Sequence, residues 1–172
     1  MLKLLSCFAV IALVSCSIED NKDLEPFHGR YKLIYTWPVP SSPIQNCPGV
    51  TYSKPGMAQG AITCSCNTRK NPNIGFLKQD TRYRGLTLMV DVVKSDSEAA
   101  EAMNDNCPCD PFTPDRVQFR LINEDYFLQY EKEEILRHYL FGRKVPTESE
   151  LQNLLNGLGD LKNVPGKRVC NV

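Results

Sequence analysis

Apolar and polar positions alternate along much of this chain, and one late stretch switches to helical spacing. Gly29 opens the first strand candidate, Tyr31 to Trp37. There Tyr31, Leu33, Tyr35 and Trp37 share one face at period two, with Lys32 and Thr36 on the other. Pro38, Pro40 and Pro43 end it. Gly60 to Cys66 is a second candidate, and Leu86 to Val93 is the best of two or three between Ile74 and Val93. Ser95 to Met103 is polar with interspersed alanines and predicts one or two helical turns, followed by a rigid Cys-Pro-Cys loop at Cys107 to Cys109. The pattern then sharpens. Val117, Phe119 and Leu121 alternate with Gln118 and Arg120, and Tyr126, Leu128 and Tyr130 alternate after the turn at Asn123 to Asp125. Ile135 to Phe141 follows a charged turn. Three short strands with short connections predict an antiparallel meander.

The period changes after Pro146. Thr147 is placed to cap a helix and Glu150 to close the capping box. Leu151, Leu154, Leu155 and Leu158 then recur at helical spacing, with Gly157 and Gly159 as the stop. One amphipathic helix is expected, its leucine stripe lying on the outer face of a sheet. A protein-binding helix is the other reading of that stripe.

The first residues are of another kind. Lys3 supplies a positive start, and Leu4 to Val14 is almost wholly apolar. Small residues follow, so residues 1–17 read as a secretory signal peptide and residues 18–172 as one mature domain. An uncleaved anchor is the alternative. Leu13-Val14-Ser15-Cys16 also resembles a bacterial lipoprotein cleavage box, which would put a lipid on Cys16. No other segment approaches the length of a transmembrane span.

Secretion changes the meaning of the cysteines. Cys47, Cys64, Cys66, Cys107, Cys109 and Cys170 remain after the leader, and outside the cell six cysteines suggest three disulfides. Four thiolates in two Cys-x-Cys pairs, with His138 as a fifth donor, are the zinc alternative; secretion favours disulfides, and no metal or other cofactor is expected. The 20 basic and 20 acidic residues cancel, so the basic excess of a nucleic-acid binder is absent. Only His28 and His138 could serve as imidazole bases at neutral pH, and they read as a solvated or capping residue and a strand-wall residue. The sequence contains no nucleophile elbow, zinc-protease helix or phosphate-binding glycine loop, so the chain is not expected to be an enzyme.

Three stretches carry a resemblance. Phe27-His28-Gly29-Arg30-Tyr31 resembles the glycine-x-tryptophan motif that begins the first strand of lipocalins, with Tyr31 in place of the tryptophan. Glu124-Asp125-Tyr126 resembles the family's threonine-aspartate-tyrosine turn. Leu140 to Pro146 resembles its third motif, with Arg143 as the arginine before the helix. The resemblance implies an all-β fold: an eight-stranded antiparallel up-and-down barrel with a C-terminal α-helix packed outside. In it, Gly29 would allow a tight approach at the closed end and Tyr31 would plug the floor. Arg143 would lie across Tyr31 and donate to backbone carbonyls, and Asp125 would order the turn before Tyr126. The cysteines resemble those of apolipoprotein D-like lipocalins, which implies a Cys47–Cys170 bridge worth on the order of 4 kcal/mol. Cys64, Cys66, Cys107 and Cys109 depart from that family's usual four-cysteine pattern; alternation puts Cys64 and Cys66 on one strand face, where two cross-links to Cys107 and Cys109 would staple the early barrel to a later loop.

The function so implied is reversible carriage of a small hydrophobic molecule such as a fatty acid, retinoid, sterol, pigment or haem. Tyr35, Trp37, Phe119, Leu121, Leu128, Tyr130 and Tyr139 are the candidate ligand wall, and Arg120 or Lys132 near the mouth would meet a head group. A barrel acting through its surface, as an inhibitor or on a cell-surface receptor, is the alternative.

Overall fold

The computed structural model describes residues 22–44, 46–56, 63–64, 74–104, 107–110, 112–132, 136–161 and 163–171. The leader, Cys16 and Cys66 lie outside them. A short 3-10 helix (Lys22–Phe27) leads into ten strands: β1 (Gly29–Trp37), β2 (Gly49–Ser53), β3 (Thr63–Cys64), β4 (Ile74–Thr81), β5 (Gly85–Val92), β6 (Cys109–Asp110), β7 (Asp115–Leu121), β8 (Tyr126–Lys132), β9 (Leu136–Gly142) and β10 (Lys167–Arg168). Helix α1 (Asp96–Asn104) lies between β5 and β6, and α2 (Glu148–Asn156) follows β9. The strands run β10-β1-β2-β4-β5-β7-β8-β9, and β1 pairs with β9 to close the ring.

The barrel is thus closed, but it departs from the eight-stranded antiparallel expectation in two ways. Seven strands form its wall and β10 stands outside it. β5 and β7 are parallel, Leu88 opposite Asp115 through Val92 opposite Phe119. The cause is the crossover: after β5 the chain returns through α1 and β6 and starts β7 at the end where β5 began, which no hairpin permits. The described part of the Gly60–Cys66 candidate, β3, pairs with β6 instead of joining the wall.

β2 pairs only with Gly29–Lys32 of β1, and β10 takes the same edge higher up, at Tyr35 and Thr36. Cys47, just before β2, is bonded to Cys170, just after β10, with their Cα atoms 4.8 Å apart. The bridge therefore ties together the two segments that share one edge of β1. Closing a loop this long stabilises the fold by about 5 kcal/mol in the chain-entropy account. Cys107 and Cys109 are also disulfide-bonded, and the backbone register sets Cys64 opposite Cys109.

Two large buried clusters lie on the two faces of the wall, and a small third joins Met89 to Cys107 beside Phe76 and Cys109. The inner one takes alternate residues from every wall strand, including Tyr31, Tyr52, Leu77, Leu88, Val117, Phe119, Phe127 and Phe141. The outer one joins Ile34, Trp37, Leu128, Tyr130 and Leu140 to Ala99 of α1 and Leu151 of α2. The leucine stripe of α2 does cover the outer sheet face, with Leu151 and Leu158 buried and Leu154 and Leu155 packed beside them. Its predicted capping box is present, Thr147 and Glu150 each bonding the other's backbone N–H.

Candidate functional site

The closed end is built by one arginine. Arg143 follows the last residue of β9, and its Cζ lies 4.6 Å from the centre of the Tyr31 ring. Its guanidinium donates to Glu124 O at 3.1 Å, Pro26 O at 2.9 Å and His28 O at 3.0 Å. The Tyr31 hydroxyl donates to the same Pro26 carbonyl at 2.8 Å. The 3-10 helix is thereby held under the barrel, where Leu24 and Phe27 are buried. Gly29 has φ +123°, and a Cβ there would stand 2.6 Å from Arg143 Nη1, so only glycine fits. These contacts bring Gly29, Tyr31 and Arg143 together at the floor. The turn before Tyr126 differs. Asn123 Oδ1 accepts from the N–H groups of Asp125 and Tyr126, while the Asp125 carboxylate pairs with Lys144 at 2.8 Å.

Above this floor stands an aromatic layer. Phe27 meets Phe119 and Phe127 edge-on at 5.1 and 5.2 Å, and Tyr52 meets Phe119 at 5.3 Å. Phe127 stacks on Phe141 at 5.4 Å. Phe119 and Phe127 have no exposed surface.

A directed polar chain crosses the lumen at that layer, from β4 and β2 to β8, strands that are not neighbours in the ring. Gln79 Nε2 donates to the Tyr52 hydroxyl at 3.0 Å, and that hydroxyl donates to Gln129 Oε1 at 2.7 Å. Gln129 Nε2 donates in turn to Glu131 Oε1. Burial pushes the Tyr52 hydroxyl pKa far up, so it keeps its proton and stays a donor. Each link polarises the next towards the carboxylate. Arg137 of β9 lies directly opposite Glu131 in the ladder, and alternation with Tyr139 and Phe141 turns it to the same inner face.

The seven predicted wall residues fall on both sides of the sheet. Phe119 and Tyr139 belong to the inner face. Leu121 shares their strand phase but is 44% exposed at the closed end. Tyr35, Trp37, Leu128 and Tyr130 face outward under the helices. For Tyr35 and Trp37 the cause is a register shift between Leu33 and Tyr35, which sends Ile34 outward and reverses the alternation after it. For Leu128 and Tyr130 the cause is that β8 is buried on both faces, Phe127 and Gln129 inside, Leu128 and Tyr130 outside. Arg120 also faces out, paired with Asp96 of α1 at 2.6 Å; the Lys132 side chain lies outside the described residues. His138 is outside too, edge-on to Tyr130 at 5.0 Å, and burial lowers its pKa.

Sequence reasoning missed Tyr52, Gln79, Phe127, Gln129, Glu131, Arg137 and Phe141. A signal existed: α2's leucines need an apolar outer sheet face, and Tyr126, Leu128 and Tyr130 supply it, leaving Phe127, Gln129 and Glu131 for the inside.

A concavity lies outside the closed end. It is a groove of ≈ 910 Å³ between the β7–β8 turn and α2, lined by Leu121, Ile122, Tyr126 and Leu154 among others. The Tyr126 hydroxyl is buried there and, among the described residues, has no hydrogen-bond partner. Among the described residues no cluster of metal-ligating side chains occurs. Compared with models of known protein families and with curated proteins, the chain matches none.

Proposed function

We propose that the chain is a secreted, lipocalin-like carrier that reversibly holds a small hydrophobic molecule inside the barrel. One observation carries the reading: the inner face is graded. Its lower part is a sealed aromatic floor. Its upper part, at Gln79, Leu86, Glu131, Arg137 and Tyr139, is half-buried and mixes apolar with polar groups. A closed wall with one plugged end and one mixed end suits entry of an apolar body from above, at roughly 25 cal/mol for each Å² withdrawn from water. No covalent step is needed, so the reading is of a binding protein and not an enzyme. The Cys47–Cys170 bridge supports an oxidising compartment, and among the described residues no helix is long and apolar enough to cross a membrane.

The groove against α2, with exposed Leu121 at its edge, favours the second reading, a barrel acting through its surface on an inhibitor target or a receptor. Native mass spectrometry of protein secreted from an oxidising host, with added apolar probes, separates the two. A probe retained at one per chain is the expected result. A bare protein that takes up no probe would move the account to the surface reading.

A further inference from the structure

The groove outside the closed end has room for a ligand: its ≈ 910 Å³ falls within the roughly 300–1,000 Å³ of small-molecule clefts. We propose that it binds a small amphipathic amine, the ammonium at the Tyr126 hydroxyl among the groove's carboxylates and the apolar body on Leu121, Ile122 and Leu154. The site stands apart from the carrier reading, which concerns the barrel interior.

The first observation is the orphan hydroxyl. Tyr126 is 4% exposed, and its hydroxyl has no hydrogen-bond partner among the described residues. Its ring is fixed against Gly142, where a Cβ would stand 2.6 Å from the ring. The ionisable side chains it feels are Lys144, Glu150 and Asp125, and all three line the groove. A buried hydroxyl left unpaired is unfavourable, and a ligand atom that pairs it recovers that cost. Burial raises its pKa, so it keeps its proton and offers a neutral oxygen as acceptor.

Charge is the second observation. Arg120 is held by Asp96 of α1 at 2.6 Å, and Lys144 by Asp125 at 2.8 Å. Glu124 and Glu150 also line the groove, and among the described residues neither has a cation within ion-pair distance. Glu150 Oε2 accepts from the Thr147 N–H and hydroxyl, which lowers its pKa and keeps it ionised. The third observation is the opposite wall. Asn153, Leu154 and Gly157 belong to the C-terminal end of α2, whose last turn carries no basic residue. The negative end of that helix is therefore uncompensated. An ammonium has three donors for the hydroxyl and the carboxylates, whereas a carboxylate ligand is repelled. An uncharged chain gains nothing from these charges, so groove and barrel select different molecules.

The test is a titration of the intact, oxidised, methyl-labelled protein at neutral pH with octylammonium, octanol and octanoate, read by NMR. Octylammonium is expected to shift the methyls of Leu121, Ile122 and Leu154 and to bind about fivefold tighter than octanol, with octanoate weakest. Glu124→Gln combined with Glu150→Gln is expected to bring octylammonium down to octanol; glutamine still closes the capping box. Tyr126→Phe is expected to weaken octylammonium about fivefold without lowering the urea midpoint, because the hydroxyl has no bond to lose. A merely structural hydroxyl would lower the midpoint and leave binding unchanged. Groove methyls that do not shift, or shifts confined to Leu33, Leu88 and Val117 inside the barrel, overturn the inference. So does a wild-type order led by octanol or octanoate, or a preference unchanged in the double variant. None of these outcomes removes the carrier reading, which apolar-probe uptake decides. The wild-type ranking and shift map decide even where a variant does not fold.

Discussion

Arg143 does at the floor what no lysine could do in its place. Its planar guanidinium covers the Tyr31 ring while donating to three carbonyls from three segments: the 3-10 helix, the residue before β1, and the β7–β8 turn. A lysine keeps the charge but loses the fork and the stacking. Arg143→Lys is therefore expected to cost about 2 kcal/mol, read as a lower midpoint in urea. An unchanged midpoint would mean that the contacts are ornamental. At this scale the sequence was most legible. Gly29, Tyr31 and Arg143 were each singled out in the sequence, and they stand together at the floor. Asp125 did not follow: the neighbouring Asn123 carbonyl reaches the same N–H groups, leaving the aspartate to Lys144.

Between elements, alternation misled wherever both faces of a strand are buried. Period two identifies β8 as a strand but not which face turns inward, and Phe127 and Leu128 are both without exposed surface. The shift at Ile34 is likewise invisible in a run of apolar residues. The parallel β5–β7 pair was hidden in the crossover, since α1 was legible as helical turns but not as a return path. That helix docks through Asp96, which accepts from Arg120 and from the Tyr130 hydroxyl. His138 sits against Tyr130, and the charged groups facing it are Asp96 and Arg120. Burial lowers its pKa below the ordinary 6.5, with Arg120 acting in the same direction and Asp96 against. The unfolded chain therefore takes up this proton at higher pH than the folded one. The contribution of neutral His138 is whole above pH 6.5 and is lost as pH falls through the lowered folded value. Denaturant titrations at about pH 7.5 and about pH 5.5 should show a larger loss of stability for wild type than for His138→Gln. Equal losses would contradict the burial of a neutral imidazole.

At the scale of the whole molecule, the chain folds into a seven-stranded closed barrel with a plugged floor, helices on one outer face and a polar chain crossing the inside. The late strands and the C-terminal helix were legible in the strand period and the capping residues, whereas the barrel and the Cys47–Cys170 bridge were implied only by the resemblance, and the seven-strand count and the parallel β5–β7 pair were not foreseen. The inner wall was not legible either. Its polar members, Gln79, Gln129, Glu131 and Arg137, sit at positions that strand alternation alone would assign to solvent. Only closure of the ring and the helices covering the outside reverse that reading.

The central claim is that apolar ligands enter the barrel and do not simply coat its surface. Trp37, the one tryptophan, faces outward and is a poor reporter. The direct measurement is a set of intermolecular NOEs between a bound hexadecyl chain and labelled side chains of the barrel interior and of the outer groove. The account predicts contacts from the chain to inner-face residues, Leu33, Leu88, Val117 and Tyr139. NOEs confined to Ile122, Leu154 and Leu158 of the outer groove would contradict it and assign binding to the surface.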